Sequence, residues 1–221
     1  MSRLIIAGAV ALAVIAGAAW WTMQGRNTDS ADAAQNGDAA QEEVDTSSIV
    51  EMTMGPEDAK VTVTEYASFT CPHCANFHDN QFKKLKTDYI DTGKIHFVYR
   101  DVYFDQLGLW ASMVARCGGE DKFFGIADMI YEQQRAWIGE GDPVQAGDAL
   151  RRIGKVAGLD AEQVNACLEN EERARTLVAW FRQNAEKDEI ESTPTLLING
   201  EKHGNMSYSD LSALIDEKLE E

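Results

Sequence analysis

The stretch that decides the fold is VTVTEYASFTCPHC, residues 61–74. Its first half is rich in β-branched residues that largely alternate with others, which predicts a strand. Its second half holds Cys71 and Cys74, separated only by Pro72 and His73. Apolar residues at helical spacing begin directly after the cysteines and continue for several turns. We therefore predict a strand that leads straight into a helix, with the cysteines at the junction.

Outward from this junction, the next alternating segment is KIHFVYRDV, residues 94–102. A strand, a helix and a second strand in this order predict a parallel pair of strands. After them comes a long segment whose apolar pattern is helical almost without interruption. Its predicted helices are residues 107–118, 120–135, 143–157, 160–169 and 171–188.

Strand character returns near the end of the chain, at residues 195–198, TLLI. The dipeptide Asn199-Gly200 that follows is the strongest short signal for a hairpin. Residues 201–203 should therefore form a short strand that pairs antiparallel with the one before it.

The remaining elements complete the predicted architecture. A final helix is expected from Ser207 or Ser209, and a short edge strand is expected near residues 49–52. The fold class is therefore α/β, with the element order of a thioredoxin-like fold. The helical segment, about residues 106–188, is an insertion between the two halves of that fold.

The N-terminal segment indicates the compartment. Residues 4–21 are apolar and uncharged, and a helix of this length covers about 27 Å, close to the roughly 30 Å core of a bilayer. Arg3 should stay on the inner side, so that the rest of the chain is exported. We predict that residues 1–24 are a cleaved signal peptide or a membrane anchor, and both remain open. A buried core helix is disfavoured because no polar residue marks a solvent face.

A change of composition separates this segment from the main domain. Residues 25–47 are predicted to be a disordered acidic linker, because the stretch contains no aromatic residue and little apolar surface to bury. Residues 48–221 then form one domain. The formal net charge of −17 argues against a nucleic-acid partner, since phosphate contacts need clustered Lys and Arg.

The spacing of Cys71 and Cys74 permits three kinds of site. A zinc site needs two further ligands, but Cys117 and Cys167 are isolated on separate predicted helices and the histidines show no ligand spacing. A purely structural disulfide that closes so short a loop would stabilise the fold little. A redox-active pair is therefore favoured, and we expect no metal and no cofactor.

The position of the pair predicts its reactivity. Cys71 lies where the strand ends and the helix begins, so the helix N–H groups and dipole favour its thiolate, as would a protonated His73. Cys74, one turn further along, should be buried with a higher pKa. An alternative for His73 is a surface histidine whose charge is screened by solvent.

These residues resemble the DsbA family of periplasmic thiol–disulfide oxidoreductases. Pro72 and His73 within FTCPHC have the DsbA form of the motif, and Glu65 matches the acidic residue that the family keeps beneath its active site. Downstream, STPTLLINGEKHG resembles the cis-proline loop of that family, with Thr193 before Pro194. The resemblance covers residues 48–221, including the helical insertion.

The resemblance implies an activity, partners and a location. The Cys71–Cys74 disulfide would be donated to unfolded or reduced exported proteins through a mixed disulfide at Cys71. A DsbB-like membrane quinone reductase would then reoxidise the pair. The protein would be a monomer in the periplasm, soluble after cleavage or tethered to the inner membrane by residues 4–21.

The resemblance also implies roles for three supporting residues. A cis Thr193–Pro194 bond would let the Thr193 backbone face the sulfurs and pair with an extended substrate; the alternative is an ordinary trans proline. Glu65 would take or supply the Cys74 proton, and its alternative is a solvated strand residue.

The other cysteines and histidines have simpler interpretations. In an oxidising compartment, Cys117 and Cys167 are expected to form a structural disulfide, the alternative being two inert buried thiols. Three further histidines are expected at the surface or on a strand face: His78, His96 and His203. Three tryptophans fit core positions of helices: Trp110, Trp137 and Trp180.

Two other functions remain open for the pair. A disulfide isomerase or reductase is one, although isomerases of the DsbC type need a dimerisation domain that residues 27–47 are too short and polar to form. A chaperone that binds peptides or copper through Cys71 and Cys74 is the other. Copper delivery would favour more Met or His residues near the motif.

Overall fold

The computed structural model describes residues 44–221. The predicted signal peptide or anchor and nearly all of the predicted linker lie outside the described residues. Within residues 44–221, no helix combines the length and the apolar character needed to cross a bilayer.

The described elements confirm the predicted class, an α/β fold with a helical insertion. Helix α1 comprises residues 72–90, and helices α2 to α7 form the insertion between strands β3 and β4. The strands are β1 (Met52–Met54), β2 (Val61–Ala67), β3 (Ile95–Asp101), β4 (Thr195–Ile198) and β5 (Glu201–Gly204). The helices that follow α1 are α2 (Gln106–Cys117), α3 (Glu120–Glu132), α4 (Gln134–Ile138), α5 (Pro143–Val156), α6 (Ala161–Leu168), α7 (Glu171–Lys187) and α8 (Tyr208–Glu220).

The sheet has the order β1-β3-β2-β4-β5. Strands β2 and β3 are parallel, as predicted, and the other neighbours are antiparallel. Strand β2 is the central strand, and most of its side chains are buried on both faces, including Val61, Val63 and Tyr66. Its C-terminal end therefore delivers Cys71 to the middle of one edge of the sheet.

The hairpin and the last helix follow their sequence signals. Asn199 and Gly200 both have positive φ, 50° and 85°, which suits a tight two-residue turn between β4 and β5. Ser207, not Ser209, caps α8, because its side chain accepts a hydrogen bond from the backbone N–H of Asp210.

Helix α1 contains two turns of the wider π type. It is α-helical at Pro72–Phe77 and Lys83–Leu85 and π-helical at His78–Phe82 and Lys86–Ile90. The steps of five residues from Phe77 to Phe82 and from Leu85 to Ile90 match the i→i+5 spacing of π turns, and all four of these side chains are buried. The wider turns thus keep the apolar residues of α1 on its buried face.

Two predicted element boundaries are wrong. The edge strand lies at Met52–Met54, not at residues 49–52, because Ile49 packs against Met113, Leu177 and Trp180 of the insertion instead of joining the sheet. The predicted helix 120–135 ends at Glu132, and a separate short helix begins at Gln134.

The insertion has its own packing. Cys117 at the end of α2 and Cys167 in the last turn of α6 form a disulfide, with their Cα atoms 6.0 Å apart. Trp137 and Trp180 are buried, whereas Trp110 is only half-buried. The disulfide therefore joins two helices of the insertion that are distant in sequence.

Candidate active site

Cys71 is the N-cap residue of α1. Its backbone is extended (φ −80°, ψ 119°), and Pro72 occupies the first turn of the helix, where a missing N–H costs nothing. A tight turn precedes it, in which the Cys71 N–H donates to the Ser68 carbonyl at 3.1 Å. The sulfur of Cys71 is thereby placed at the end of the helix where backbone N–H groups have no partner within the helix.

The surroundings of Cys71 favour its thiolate. Its pKa is lowered to about 5, first because the Cys74 thiol donates a hydrogen bond to it. Burial acts against this, while the Thr193 side chain and the N–H groups of Cys74 and His73 lower the pKa further. At neutral pH the sulfur of Cys71 is therefore the anionic member of the pair.

Cys74 has the opposite character. It is fully buried, and its pKa is raised far above the ordinary value, first by burial, then by its hydrogen bond with Cys71 and by the negative charge of Glu65. Neither cysteine forms a disulfide in this structure. The pair thus consists of a stabilised thiolate beside a thiol that holds its proton.

The loop before β4 lies against this pair. The Thr193–Pro194 peptide bond is cis, and the Cys71 sulfur lies 3.5 Å from the Thr193 carbonyl oxygen. The Thr195 hydroxyl donates to the Ser192 carbonyl at 2.7 Å and so fixes the loop. The structure therefore brings together the CxxC motif and the proline loop, which are far apart in sequence.

Glu65 and His78 form a buried pair beneath the cysteines. Glu65 Oε2 lies 3.2 Å from His78 Nε2, and the two residues are 0% and 1% exposed. The alternative of a solvated Glu65 is therefore wrong, and so is the expectation that His78 lies at the surface. His96 and His203 do lie on strands β3 and β5.

The imidazole of His73 is solvent-exposed. Among the groups that lower the pKa of Cys71, residue 73 contributes through its backbone N–H. Pro72 is also exposed. Both residues are therefore accessible to a partner that approaches Cys71 and Cys74.

Gln134 of the insertion is a residue that the sequence did not single out. Its side chain holds the turn at residues 68–71, which is called the redox turn below, by hydrogen bonds. Its Nε2 donates to the carbonyl oxygens of Phe69 at 2.8 Å and Cys71 at 2.9 Å, and the side chain is buried. The break of the helix at Gln133, whose φ and ψ are −101° and 12°, precedes it directly. No pattern in the sequence indicates these contacts.

Asp105 makes a second connection to the same turn. One carboxylate oxygen accepts from the Thr70 hydroxyl at 2.8 Å, and the other accepts from the Gly108 N–H at 2.8 Å and caps α2. The capping role could have been predicted from an aspartate just before a helix. The bond to Thr70 depends on the tertiary fold and could not.

The arrangement as a whole suits thiol–disulfide exchange. A stabilised thiolate at the start of a helix can attack or be attacked, and a thiol beside it can close the ring. Within residues 44–221, no group of three or more His, Cys, Asp or Glu residues is arranged to hold a metal ion.

Known proteins that resemble this chain belong to the thioredoxin family or are named for disulfide chemistry. The sequence profile of the thioredoxin family matches residues 47–217. A Rickettsia bellii protein with the provisional name protein-disulfide oxidoreductase is 36% identical over 172 residues, which are 77% of this chain and 65% of that protein. A Rickettsia felis protein of the same name is 34% identical, and the match spans 61% of its length. The chain thus spans less than two thirds of these relatives.

Similarity also extends to a solved structure and to a more distant relative. Disulfide bond formation protein D of Bacillus subtilis is 27% identical over 175 residues, 75% of this chain and 76% of that protein. The crystal structure of Wolbachia pipientis alpha-DsbA1 superimposes with a TM-score of 0.70 at 27% identity and covers 77% of this chain and 91% of that one.

Proposed function

Because this chain belongs to the thioredoxin family, as a DsbA-like member, we propose that it is a protein-disulfide oxidoreductase that donates its Cys71–Cys74 disulfide to reduced exported proteins. The observation that carries the proposal is the lowered pKa of Cys71, about 5, beside a Cys74 thiol whose pKa is raised. A thiolate stabilised in this way is a good leaving group, so a disulfide that contains it is readily passed on.

The proposed reaction has two exchange steps. A substrate thiolate attacks the Cys71 sulfur, the Cys71–Cys74 bond breaks, and Cys74 leaves and takes up a proton. A mixed disulfide between Cys71 and the substrate results. A second substrate thiolate then attacks the substrate sulfur of that bond, and Cys71 leaves as a thiolate. The substrate is oxidised by two electrons and the pair is reduced by two.

The direction of transfer follows from the stability of the products. The hydrogen bonds to the Cys71 sulfur stabilise the reduced pair, and stabilisation of the reduced form makes a disulfide a stronger oxidant. Glu65 is proposed to exchange the proton that Cys74 gains or loses, since its charge already acts on that thiol.

The proline loop supplies a surface for the substrate chain. The Thr193 carbonyl lies against the Cys71 sulfur, and the backbone around it could pair with an extended substrate strand. Backbone pairing is independent of most side chains, which suits an enzyme that acts on many unfolded proteins.

The location and partners are proposed on the same grounds. A disulfide such as Cys117–Cys167 persists in oxidising compartments, which supports an exported, periplasmic protein. Residues 4–21 would serve either as a signal peptide or as a tether to the inner membrane. We propose a monomer that is reoxidised by a DsbB-like membrane quinone reductase.

The redox equilibrium of the full chain with glutathione tests this function. The ratio of oxidised to reduced Cys71–Cys74 is measured after alkylation of free thiols over a range of glutathione ratios. We expect a potential more positive than about −180 mV, the value for protein disulfide isomerase. A value near the roughly −270 mV of thioredoxin would contradict the oxidase and leave a reductase or an isomerase.

A further inference from the structure

The Glu65–His78 pair has unused hydrogen-bonding capacity. Besides the contact between Oε2 and Nε2, Glu65 Oε1 and His78 Nδ1 are both buried and have no partner among the described residues. Buried polar atoms of this kind are uncommon and call for an explanation. Here both belong to titratable groups, and both lie next to the redox pair.

The fold places His78 on the Cys74 side of α1. The two residues are one turn apart, at positions i and i+4, and therefore share a face of the helix. Packing holds the imidazole in place. Its ring centroid lies 4.1 Å from that of Tyr131, on which it stacks, and 4.5 Å from that of Phe82. The ring is thus fixed within reach of the proton that Glu65 would exchange.

Other ionisable groups also face the imidazole. Tyr99 of β3 lies edge-on to it, and the hydroxyls of Tyr99 and Tyr131 are 2.7 Å apart, with the pKa of each raised by burial. Asp128 of α3 is half-buried and interacts electrostatically with His78. Because both tyrosines keep their protons, the groups near His78 that can change charge are Glu65, Cys74 and Asp128.

The chemistry of ring closure creates a demand for a second group. When Cys74 attacks a mixed disulfide at Cys71, it must lose its proton inside the protein. If Glu65 took that proton alone, it would remain a neutral, fully buried acid for as long as the Cys71–Cys74 disulfide persists. A neighbour that can also hold a proton removes this constraint.

We propose that His78 is the second member of a proton relay, and that it receives from Glu65 the proton that Cys74 loses. This inference rests on the proposed exchange chemistry of the Cys71–Cys74 pair. Cys74 passes its proton to Glu65 Oε1 while its sulfur bonds to Cys71. The bond from Cys71 to the partner sulfur breaks, and the partner leaves as a thiolate.

The second step of the relay moves the proton from Glu65 to His78. The protonated carboxyl group of Glu65 then rotates so that its O–H faces Nε2 of His78, which carries no hydrogen in the Nδ1–H tautomer of the neutral imidazole. Nε2 takes up the proton, and the imidazole becomes a cation. The pair changes from carboxylate with neutral imidazole to carboxylate with imidazolium, so its net charge goes from −1 to zero. The negative charge departs on the leaving thiolate. When Cys74 later leaves the disulfide, the same proton returns to it by the reverse path.

A ring-closure assay tests the relay directly. The full chain, with Cys71 and Cys74 reduced, is mixed with the aromatic disulfide 5,5′-dithiobis(2-nitrobenzoate). Release of the first coloured thiolate reports the mixed disulfide at Cys71, and release of the second reports closure by Cys74. Closure needs only the two cysteines and their proton acceptor, so it is measurable whatever the redox potential of the pair.

The variants separate proton transfer from positioning. His78→Gln keeps a polar amide beside Glu65 but cannot take up a proton, and His78→Phe keeps the stacked ring. We expect closure at neutral pH to slow by roughly 10²-fold in both, the low end of what general acid–base catalysis contributes. The rate should recover as the pH rises, because hydroxide can then deprotonate Cys74. The first release should be unchanged.

His96→Gln is the matched control. His96 also has a buried, unpartnered Nδ1 but lies on β3 opposite Thr62 of β2, within a different set of contacts. This variant should close at the wild-type rate. Closure of His78→Gln at the wild-type rate, with the wild-type pH profile, would overturn the relay.

A measurement on the wild-type chain covers the case in which the His78 variants do not fold. The ¹⁵N signals of the His78 ring should move between the reduced chain and the chain with the Cys71–Cys74 disulfide, because Cys74 gives up its proton only in the disulfide form, while those of His96 stay in place. Unchanged His78 signals would also overturn the relay. A potential near that of thioredoxin with normal relay behaviour would instead refute only the oxidase function.

Discussion

The molecule contains two cysteine pairs with opposite placements. Cys71 is the N-cap of α1 and Cys74 lies in its first turn, whereas Cys117 ends α2 and Cys167 lies in the last turn of α6. The positive end of a helix favours a thiolate and the negative end disfavours it. The helix dipole therefore favours a thiolate at Cys71 and disfavours one at Cys117 and Cys167.

If burial alone decided reactivity, Cys117 and Cys167 would be expected to be the more reactive pair. Cys71 and Cys74 are buried, while Cys117 and Cys167 are only half-buried. Hydrogen bonds to the Cys71 sulfur outweigh the effect of its burial on its pKa. Reactivity in this protein is therefore set by the donors around a sulfur and by its position on the helix, more than by its exposure.

The largest expected effect is the loss of exchange in Cys71→Ser. No mixed disulfide can form on a serine, so oxidation of a reduced dithiol peptide should fall to the uncatalysed rate. Cys74→Ser is the companion variant. When it is mixed with a peptide that contains a disulfide, its Cys71 thiolate should attack that bond and release one peptide thiolate, and the mixed disulfide should persist because no Cys74 thiol can displace it. Peptide oxidation and mass spectrometry of the trapped species measure the two outcomes. Residual oxidation by Cys71→Ser would mean that the second pair also exchanges.

The next effect is a loss of stability without a loss of exchange. The Cys117–Cys167 disulfide closes a loop of 50 residues, which corresponds to about 4 kcal/mol of stabilisation through the unfolded chain. Replacing both cysteines by alanine should lower the free energy of unfolding in urea by up to that amount. Peptide oxidation should be unchanged at a temperature where the variant is folded. A matching loss of peptide oxidation would contradict a purely structural role for the Cys117–Cys167 disulfide.

The pH dependence of the reduced pair provides a third comparison. Because the folded pKa of Cys71 is about 5 against an ordinary value of 9.0, the unfolded chain binds the extra proton between these values. The stability of the reduced chain relative to the oxidised chain should therefore rise as the pH increases from about 5 to 9.

The stabilisation from Cys71 is lost again as the pH falls through about 5. Above pH 9 the raised pKa of Cys74 should reverse the trend, since Cys74 then keeps its proton only in the folded state. Urea unfolding of both redox forms across this range measures the difference. A difference that does not vary with pH would mean that Cys71 is not a stabilised thiolate.

The smallest expected effect concerns the His73 side chain. His73→Ala keeps the backbone N–H near the Cys71 sulfur and removes only an exposed imidazole. The midpoint of iodoacetamide alkylation of Cys71 should rise by less than about one pH unit. His203→Ala, on β5, is the control. A larger shift that disappears in high salt would assign His73 a greater electrostatic role.

Much of the fold could be predicted because it depends on local patterns. Alternation identified β2 and β3, helical spacing identified the insertion, and Asn199-Gly200 identified the hairpin. The edge strand was misplaced because Ile49 satisfies its apolar surface on the insertion, a tertiary contact that no local pattern encodes.

The site was only partly predictable. The CxxC motif and the family resemblance pointed to Cys71, Cys74 and Glu65. His78 was misplaced, because a single histidine in a helix is most often at the surface. Its spacing of four residues from Cys74 could have indicated otherwise. Gln134 could not be found, since its contacts exist only when the insertion packs against the redox turn.

The hydrogen bonds to the redox turn bear on whether the insertion could be separated from the rest of the fold. Three successive residues, Phe69, Thr70 and Cys71, are each held by a side chain from the insertion or its entry loop, namely Gln134 or Asp105. The insertion and its entry loop therefore supply hydrogen bonds that hold the turn before α1, and they are not independent of the site. Transplanting only the CPHC letters into a bare thioredoxin scaffold would carry over the motif but leave the turn beside it unanchored.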